Sequence, residues 1–127
     1  MAQLKETRKL FFVFCFIFFT FNSCKKDYPD DIPQWIKTYI YDYKHGKNTT
    51  SNIYSVGIDE LKNTSGNPIF EFYYYFDGSN RWQEYYDIDN NKLCYVSYGP
   101  PCPCSSCGTM LNGYSQNRFI WSSGEKK

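Results

Sequence analysis

Cysteine is the residue type whose spacing in this 127-residue chain could support the most chemistry. Cys94, Cys102, Cys104 and Cys107 lie close together in the C-terminal third of the chain, and Cys24 follows an apolar run near its beginning. Paired cysteines form disulfides in oxidising compartments, thiolates bind soft metals, and a Cys-x-x-Cys motif can carry out redox chemistry. The four C-terminal cysteines therefore allow three kinds of site.

Two disulfides are the interpretation that we favour for these four cysteines. Four is an even number, and a small domain with a modest core gains stability from cross-links. A bridge from Cys102 to Cys104 would close over Pro103 alone and would be strained. We therefore expect Cys94 to pair with Cys102 or Cys104, and Cys107 to pair with the other one.

A soft-metal site is the alternative to the disulfides. Cys102, Cys104, Cys107 and Met110 offer thiolate and thioether ligands that suit Cu(I). Zinc on four cysteines fits less well, because only Cys104 and Cys107 have the spacing of a zinc knuckle. Redox catalysis fits least, because proline and serine surround these cysteines where a helix should begin. We expect no bound metal and no cofactor.

The rest of the sequence indicates neither catalysis nor nucleic-acid binding. It contains no G-x-S-x-G, P-loop or H-E-x-x-H motif. The single histidine, His45, stands alone near the end of a predicted helix, and Glu71, Glu84 and Asp87 are typical solvated or hydrogen-bonded strand carboxylates. With 14 Lys and Arg against 13 Asp and Glu, the chain has no basic field for a nucleic-acid backbone. We predict a protein that is not an enzyme.

The first residues have the layout of an export signal. A basic start, residues 1–9, precedes an apolar run, residues 10–21, that is too short to span a bilayer. The following Asn-Ser-Cys24-Lys-Lys-Asp resembles a bacterial lipoprotein signal, and this style of sequence is similar to that of Bacteroidota lipoproteins. An uncleaved membrane anchor, with Cys24 an ordinary thiol, is the alternative.

The lipoprotein resemblance implies an address and a covalent modification. Residues 1–23 would be a signal peptide that is removed, and Cys24 would carry fatty acyl chains such as palmitate. In that group, lysine and aspartate after the cysteine resemble a signal for display on the outer leaflet. We therefore expect a protein that is lipid-anchored to the outer membrane and exposed at the cell surface, the periplasmic side being the alternative.

The remaining chain predicts one helix and several hairpins. Residues 24–30 suit a tether, residues 31–121 a single domain, and residues 122–127 a flexible tail. Asp31 is a good N-cap for a helix over residues 31–45. Apolar residues at helical spacing form one stripe on it: Ile32, Trp35, Ile36, Tyr39, Ile40 and Tyr43.

After the helix, the period changes to two and indicates strands. We predict strands at 53–59, 69–76, 82–88 and 93–98, with an edge strand at 118–121. Placing Phe72 opposite Tyr86, and Tyr86 opposite Tyr95 through a two-residue Asn90-Asn91 turn, puts the large apolar residues on one face. That face consists of Phe70, Phe72, Tyr74, Phe76, Trp82, Tyr86, Ile88, Leu93 and Tyr95. Glu84 would join it at the rim, paired with a tyrosine hydroxyl, unless the register is locally wrong.

These elements predict an α+β fold, with one N-terminal amphipathic helix packed on a four- to five-stranded antiparallel meander. The order of elements, with strands ending in Tyr85-Tyr-Asp-Ile-Asp-Asn-Asn-Lys-Leu93, resembles small PepSY-type domains over residues 31–98. It is also similar to uncharacterised Bacteroidota lipoproteins of this length. The PepSY resemblance implies binding or inhibition rather than catalysis.

The sheet face away from the helix predicts a binding surface. We expect Tyr73, Tyr75, Tyr85 and Tyr98 to form an aromatic row there, with Tyr73 across from Tyr85, as a candidate ligand face for a glycan or a protein. Cys94 would point to the same side, so that the Cys-rich loop 99–108 is stapled across it. The alternative is that the C-terminal segment covers the row with Tyr114, Phe119, Ile120 and Trp121.

Taken together, these features predict a membrane-anchored lipoprotein that acts as a small binding module for a protein or glycan ligand. The alternative is a lipoprotein that binds copper or zinc through its cysteine cluster. Both hypotheses place the domain outside the cytoplasm.

Overall fold

The computed structural model describes residues 26–47, 52–76, 80–99 and 103–124. These residues form one helix and five strands: α1 (Gln34–Lys44), β1 (Ile53–Lys62), β2 (Pro68–Phe76), β3 (Arg81–Tyr86), β4 (Lys92–Ser97) and β5 (Ser115–Ser122). All strand pairs are antiparallel, in the order β4-β3-β2-β1-β5. No helix in these ranges has the length and hydropathy needed to cross a bilayer.

The predicted architecture, an N-terminal helix on a meander, is wrong in three respects. The helix is not N-terminal, and it is shorter than the predicted span of 31–45. The sheet is also not a meander throughout, because β5 leaves the β4 side and pairs with β1 at the opposite edge. This pairing buries Ile120 and Trp121 in the core beneath the helix, where an edge position beside β4 would not place them.

Asp31 does not cap the helix as predicted. Pro33 occupies the N-cap position with φ −54° and ψ 144°, and no side chain bonds to the first turn. The carboxylate of Asp31 instead accepts hydrogen bonds of 2.8 and 3.0 Å from Nη1 of Arg118, whose Nη2 donates to the buried Glu60 at 3.1 Å. The helix begins at Gln34, so Asp31 lies two residues before the N-cap and pairs with Arg118 instead of the first turn.

The main core lies between the helix and one face of the sheet. The apolar stripe of α1 meets residues of β1, β2 and β5 there. The buried members are Ile32, Ile36, Ile40, Val56, Ile58, Phe70, Phe72, Ile120 and Trp121. Half-buried tyrosines and tryptophan close the margins of this core, so aromatic rings supply much of its apolar surface.

The β2–β3 register differs from the predicted one by two residues. Phe72 lies opposite Glu84 rather than Tyr86, and Tyr86 lies opposite Phe70. A shift of two residues leaves every side chain on its predicted face, because the side-chain period of a strand is two. The predicted pairing is therefore wrong, whereas the alternation of faces along β2 and β3 matches the structure.

The β3–β4 turn also differs from the prediction. Asp87 pairs with Asn91 by a 3.0 Å backbone hydrogen bond, so the loop has three residues, with Asn90 at φ 68°. Oδ1 of Asp87 accepts from the backbone N–H of Asp89 and of Asn91, both at 2.9 Å. The side chains of Ile88 and Leu93 are 53% and 39% exposed rather than buried, because β3 ends at Tyr86 and β4 is irregular opposite it.

A second, smaller core lies on the other face of the sheet. It contains Ile69, Tyr85, Cys94 and Cys107, and Met110, Leu111 and Tyr114 pack against it. Cys94 and Cys107 form a disulfide with a Cα–Cα distance of 4.9 Å. The predicted pairings of Cys94 with Cys102 or Cys104 are therefore wrong. Cys104 is disulfide-bonded as well, and Cys102 lies outside the described residues.

Both ends of the described chain contact the domain. Asp27, in the stretch assigned to the tether, accepts hydrogen bonds from Nε1 of Trp121 at 3.0 Å and from Nζ of Lys44. Ser123, in the stretch assigned to the tail, exchanges hydrogen bonds with the backbone of Val56 at 2.8 and 2.9 Å. Cys24 and residues 125–127 lie outside the described residues.

Candidate ligand-binding cleft

A cleft opens between one side of α1 and the β2–β3 hairpin. Its volume of about 370 Å³ is that of a small-molecule site. The helix contributes one wall, the strands contribute the floor, and the β3–β4 turn contributes part of the mouth. The lining residues are Trp35, Thr38, Tyr39, Asp42, Phe72, Tyr74, Tyr86 and Asn90.

Aromatic rings form the walls of the cleft. Phe72 lies at the centre and is fully buried. The ring of Trp35 stacks on it at 5.7 Å, and Tyr39 and Tyr86 meet it edge-on at 5.0 and 5.3 Å. Packed aromatic pairs at these distances stabilise one another beyond the area that they bury. The three outer rings are only half-buried, so part of each remains open to the cleft.

Glu84 holds the floor through three donors. Its Oε1 accepts from Nε1 of Trp82 at 2.9 Å and from Nζ of Lys92 at 3.0 Å, and its Oε2 accepts from the hydroxyl of Tyr86. Burial alone would raise the pKa of Glu84, but these hydrogen bonds outweigh it and lower the pKa. The predicted pairing of Glu84 with a tyrosine hydroxyl is confirmed.

The cleft tyrosines stay protonated at neutral pH. Burial raises the pKa of Tyr39, Tyr74 and Tyr86. Their hydroxyls therefore act as neutral donors and acceptors. Together with the lowered pKa of Glu84, these shifts move the titration of four groups away from neutrality, where a general acid or base would be needed.

Three polar side chains stand at the mouth. Thr38 donates its hydroxyl hydrogen to the carbonyl oxygen of Gln34 at 3.1 Å and keeps its oxygen as an acceptor. Asp42 is partly exposed, and its Oδ1 lies 3.7 Å from Nζ of Lys47. The side-chain amide of Asn90 has no hydrogen bond to any described residue. The mouth thus offers both donors and acceptors to a ligand.

The predicted ligand face lies on the other side of the sheet, and the structure divides it. Tyr85 is 5% exposed beneath residues 107–114, whereas Tyr75 and Tyr98 remain exposed. The guanidinium of Arg81 lies 4.3 Å from the ring centroid of Tyr98. The ring of Tyr73 lies directly over Gly57, where a Cβ atom would overlap it. The four tyrosines therefore do not form one open row.

The predicted register across that face is wrong as well. Tyr73 lies opposite Gln83, and Tyr85 lies between Glu71 and Cys94. Of the residues expected to cover the row, Tyr114 does pack there. Ile120 and Trp121 belong to the main core beneath the helix instead, and Phe119 is exposed. The segment that includes Cys107 provides most of the cover.

The cleft itself was missed from the sequence. Trp35, Tyr39 and Asp42 follow one another at spacings of four and three, so they share one side of α1. That side of the helix adjoins the buried apolar stripe. The spacing of these residues therefore does not show whether they line a cleft or pack at the edge of the core. Asn90 carried a clearer signal, because asparagine in a short turn tolerates a positive φ.

Metal ligation finds no geometric basis in the residues that the structure describes. No group of three or more His, Cys, Asp or Glu side chains is placed there to hold an ion. The sulfur atoms of Cys94 and Cys107 are joined to each other and so are not thiolate ligands.

No family model, curated protein or solved structure matches the chain. The resemblance to PepSY-type domains and to lipoproteins stays a prediction.

Proposed function

We propose that the protein is a lipid-anchored binding module that holds a small ligand in the cleft beside α1. The observation that carries this proposal is the preformed aromatic cleft of about 370 Å³, with Trp35, Tyr39 and Tyr86 arranged around Phe72. Ligand sites combine such apolar walls with a few convergent polar groups. Thr38, Asp42 and Asn90 supply these polar groups here.

Binding fits this cleft better than catalysis does. Hydrogen bonds lower the pKa of Glu84, and burial raises the pKa of Tyr86, so neither group transfers protons readily at neutral pH. The hydrogen bond between them holds a ring of the cleft in place. The polar groups of the floor thus orient the walls of the cleft.

The location is part of the proposal. A disulfide between Cys94 and Cys107 is typical of proteins outside the cytoplasm, which supports export through the predicted signal. With acyl chains on Cys24, the contacts of Asp27 with Trp121 and Lys44 would hold the domain close to the outer membrane. We propose display at the cell surface.

Calorimetry with matched variants tests ligand binding. A library of water-soluble saccharides, amines and carboxylates is screened by thermal shift, and each hit is titrated. We expect Tyr39→Leu and Tyr86→Leu to abolish binding, because each keeps apolar bulk and loses the ring. Tyr98→Leu, on the opposite face, is the control and should bind like wild type. Hits that depend on Tyr98 and not on the cleft tyrosines would refute the cleft as the site.

Mass spectrometry tests the anchor. We expect a mature chain that begins at Cys24 and carries acyl chains, and a Cys24→Ala variant that is no longer recovered in the outer-membrane fraction. Protease treatment of intact cells should degrade the wild-type domain if it faces the outside. A chain that begins at Met1 with an unmodified Cys24 would refute lipidation.

A further inference from the structure

We infer that the cleft beside α1 binds a neutral sugar in its pyranose form. This inference rests on the proposed function, because it specifies the ligand class of the same cleft. Ring geometry, the polar groups of the mouth and the charge balance support it separately.

The aromatic walls suit the faces of a sugar ring. A pyranose presents C–H groups on its faces, which stack on the electron-rich faces of aromatic side chains. Trp35, Tyr39 and Tyr86 are half-buried, so each has ring surface that the protein itself does not cover. The volume of about 370 Å³ accommodates a ligand of one or two sugar rings rather than a long chain.

The mouth suits the hydroxyl groups around the edge of such a ring. Each sugar hydroxyl both donates and accepts hydrogen bonds. Asn90 offers an amide with donor and acceptor ends that no described residue occupies, and Asp42 and Thr38 offer acceptor oxygens. An aliphatic ligand that covered these groups would remove them from water without replacing their hydrogen bonds, which costs binding free energy.

The charges at the cleft favour a neutral ligand. Asp42 lies 3.7 Å from Nζ of Lys47, and Glu84 accepts from Lys92 at 3.0 Å. Asp42 and Glu84 thus each have a lysine beside them. A charged ligand that contacts these two carboxylates would find their charge already balanced, with little gain to repay the loss of its own hydration.

Hydrogen bonds within the protein also fix the β3–β4 turn at the mouth before a ligand binds. Asp87 accepts hydrogen bonds from the side chain and backbone of Asn91 at 2.9 Å, which fixes the turn that carries Asn90. Nε1 of Trp35 donates to the carbonyl oxygen of Ile88 at 2.9 Å and joins this turn to the helix. A preorganised site loses less entropy when a ligand binds.

Two of the three tryptophans allow a direct test in solution. Trp35 lines the cleft, whereas Trp121 lies near Asp27, on the other side of the helix. Methyl β-D-glucopyranoside, methyl β-D-galactopyranoside, methyl α-D-mannopyranoside and N-acetyl-D-glucosamine are titrated into ¹⁵N-labelled protein. We expect at least one of them to shift the indole N–H signal of Trp35 in a saturable way and to leave that of Trp121 unchanged.

Variants at the mouth identify the groups that bind the hydroxyls. Asn90→Gly keeps a residue that adopts a positive φ and removes the amide, so the turn should persist. We expect it to weaken saccharide binding about tenfold, as the loss of about one hydrogen bond would. Asp89→Asn, an exposed change in the same turn, is the control and should bind like wild type.

Two outcomes would overturn the inference. No saturable shift of the Trp35 signal with any of the four saccharides would show that the cleft does not take a pyranose. Choline and octanoate are titrated in the same way. Saturable shifts with either of these two alone would also refute the inference, but they would support the proposed function, because a small ligand would then occupy the cleft. If no compound of the thermal-shift library binds, both the proposed function and this inference would be contradicted.

Discussion

The indole Nε1 of Trp35 donates a 2.9 Å hydrogen bond to the carbonyl oxygen of Ile88. Trp35 lies in the first turn of α1, and Ile88 lies in the turn between β3 and β4, so this bond joins two elements that are far apart in the sequence. The same ring stacks on Phe72 at the base of the cleft. One side chain thus sets the spacing between helix and hairpin.

Trp35→Phe should loosen the mouth of the cleft. The variant keeps an aromatic ring over Phe72 and loses the donor to Ile88, so the free energy of unfolding should fall by about 1 kcal/mol. Hydrogen exchange at the amide of Asn90 should become faster. Tyr41→Phe, on the exposed side of α1, is the control. Unchanged exchange at Asn90 would contradict this role of the hydrogen bond.

Glu84→Gln should remove part of the protein's resistance to acid. The folded-state pKa of Glu84 is lowered, so its contribution is present at neutral pH and is lost as the pH falls through that pKa. We expect the variant to be less stable by about 2 kcal/mol at pH 7, since it loses charge-assisted bonds. The difference should shrink below about pH 4, near the ordinary glutamate pKa. Urea unfolding at a series of pH values measures it, and a difference that does not vary with pH would contradict the assignment.

Asp59→Asn should stabilise the protein at neutral pH. Asp59 lies directly opposite Glu71, its Oδ1 is buried without a hydrogen bond, and burial raises the pKa of both carboxyls. A raised acid pKa means that the folded state binds protons more tightly, so wild-type stability falls as the pH rises from about 4 through the raised values.

The gain from Asp59→Asn should be about 1 kcal/mol at pH 7, since the variant removes a desolvated charge beside Glu71. It should vanish in acid, where both carboxyls are protonated in wild type. Gln116 can still donate to the oxygen at this position, so the local hydrogen bond is kept. Asp89→Asn serves as the exposed control. A destabilised variant at neutral pH would show that the charge of Asp59 is needed for folding.

Replacing both Cys94 and Cys107 with serine should destabilise one face of the sheet selectively. The loss should be about 3 kcal/mol, because a disulfide between cysteines 13 residues apart removes about that much loop-closure entropy from the unfolded chain. Tyr85 should become accessible, because the segment with Cys107 covers it. The cleft lies on the opposite face, so its ligand should still bind below the unfolding transition. A variant that is still folded at 25 °C but no longer binds the ligand would show that the two faces are coupled.

Periodicity determined which faces the secondary-structure elements present. The spacing of Trp35 and Tyr39 predicted the inner side of the helix, and the alternation of Phe70 and Phe72 predicted the inner face of β2. Such patterns depend only on the pitch of a helix or the pleat of a strand, which are local properties. The placement of Cys94 on the outer face follows from the same alternation.

Tertiary structure alone decided which residues meet across the strands and where β5 pairs. A register shift of two residues keeps every side chain on its face, so the hydrophobic pattern could not distinguish Phe72 opposite Glu84 from Phe72 opposite Tyr86. The side chain of Asp87 accepts hydrogen bonds from the backbone N–H groups of Asp89 and Asn91, and these bonds fix the three-residue β3–β4 turn that carries Asn90.

The sequence alone therefore determined the presence of the helix and the strands and most of the residues on their inner faces. The pairing of Cys94 with Cys107, the position of β5 beside β1 and the cleft between Trp35 and Tyr86 arose only when the chain closed on itself. Each of these features depends on contacts between residues that are distant in sequence. The choice between alternative contacts depends on differences in packing energy, which the local spacing of residues does not encode.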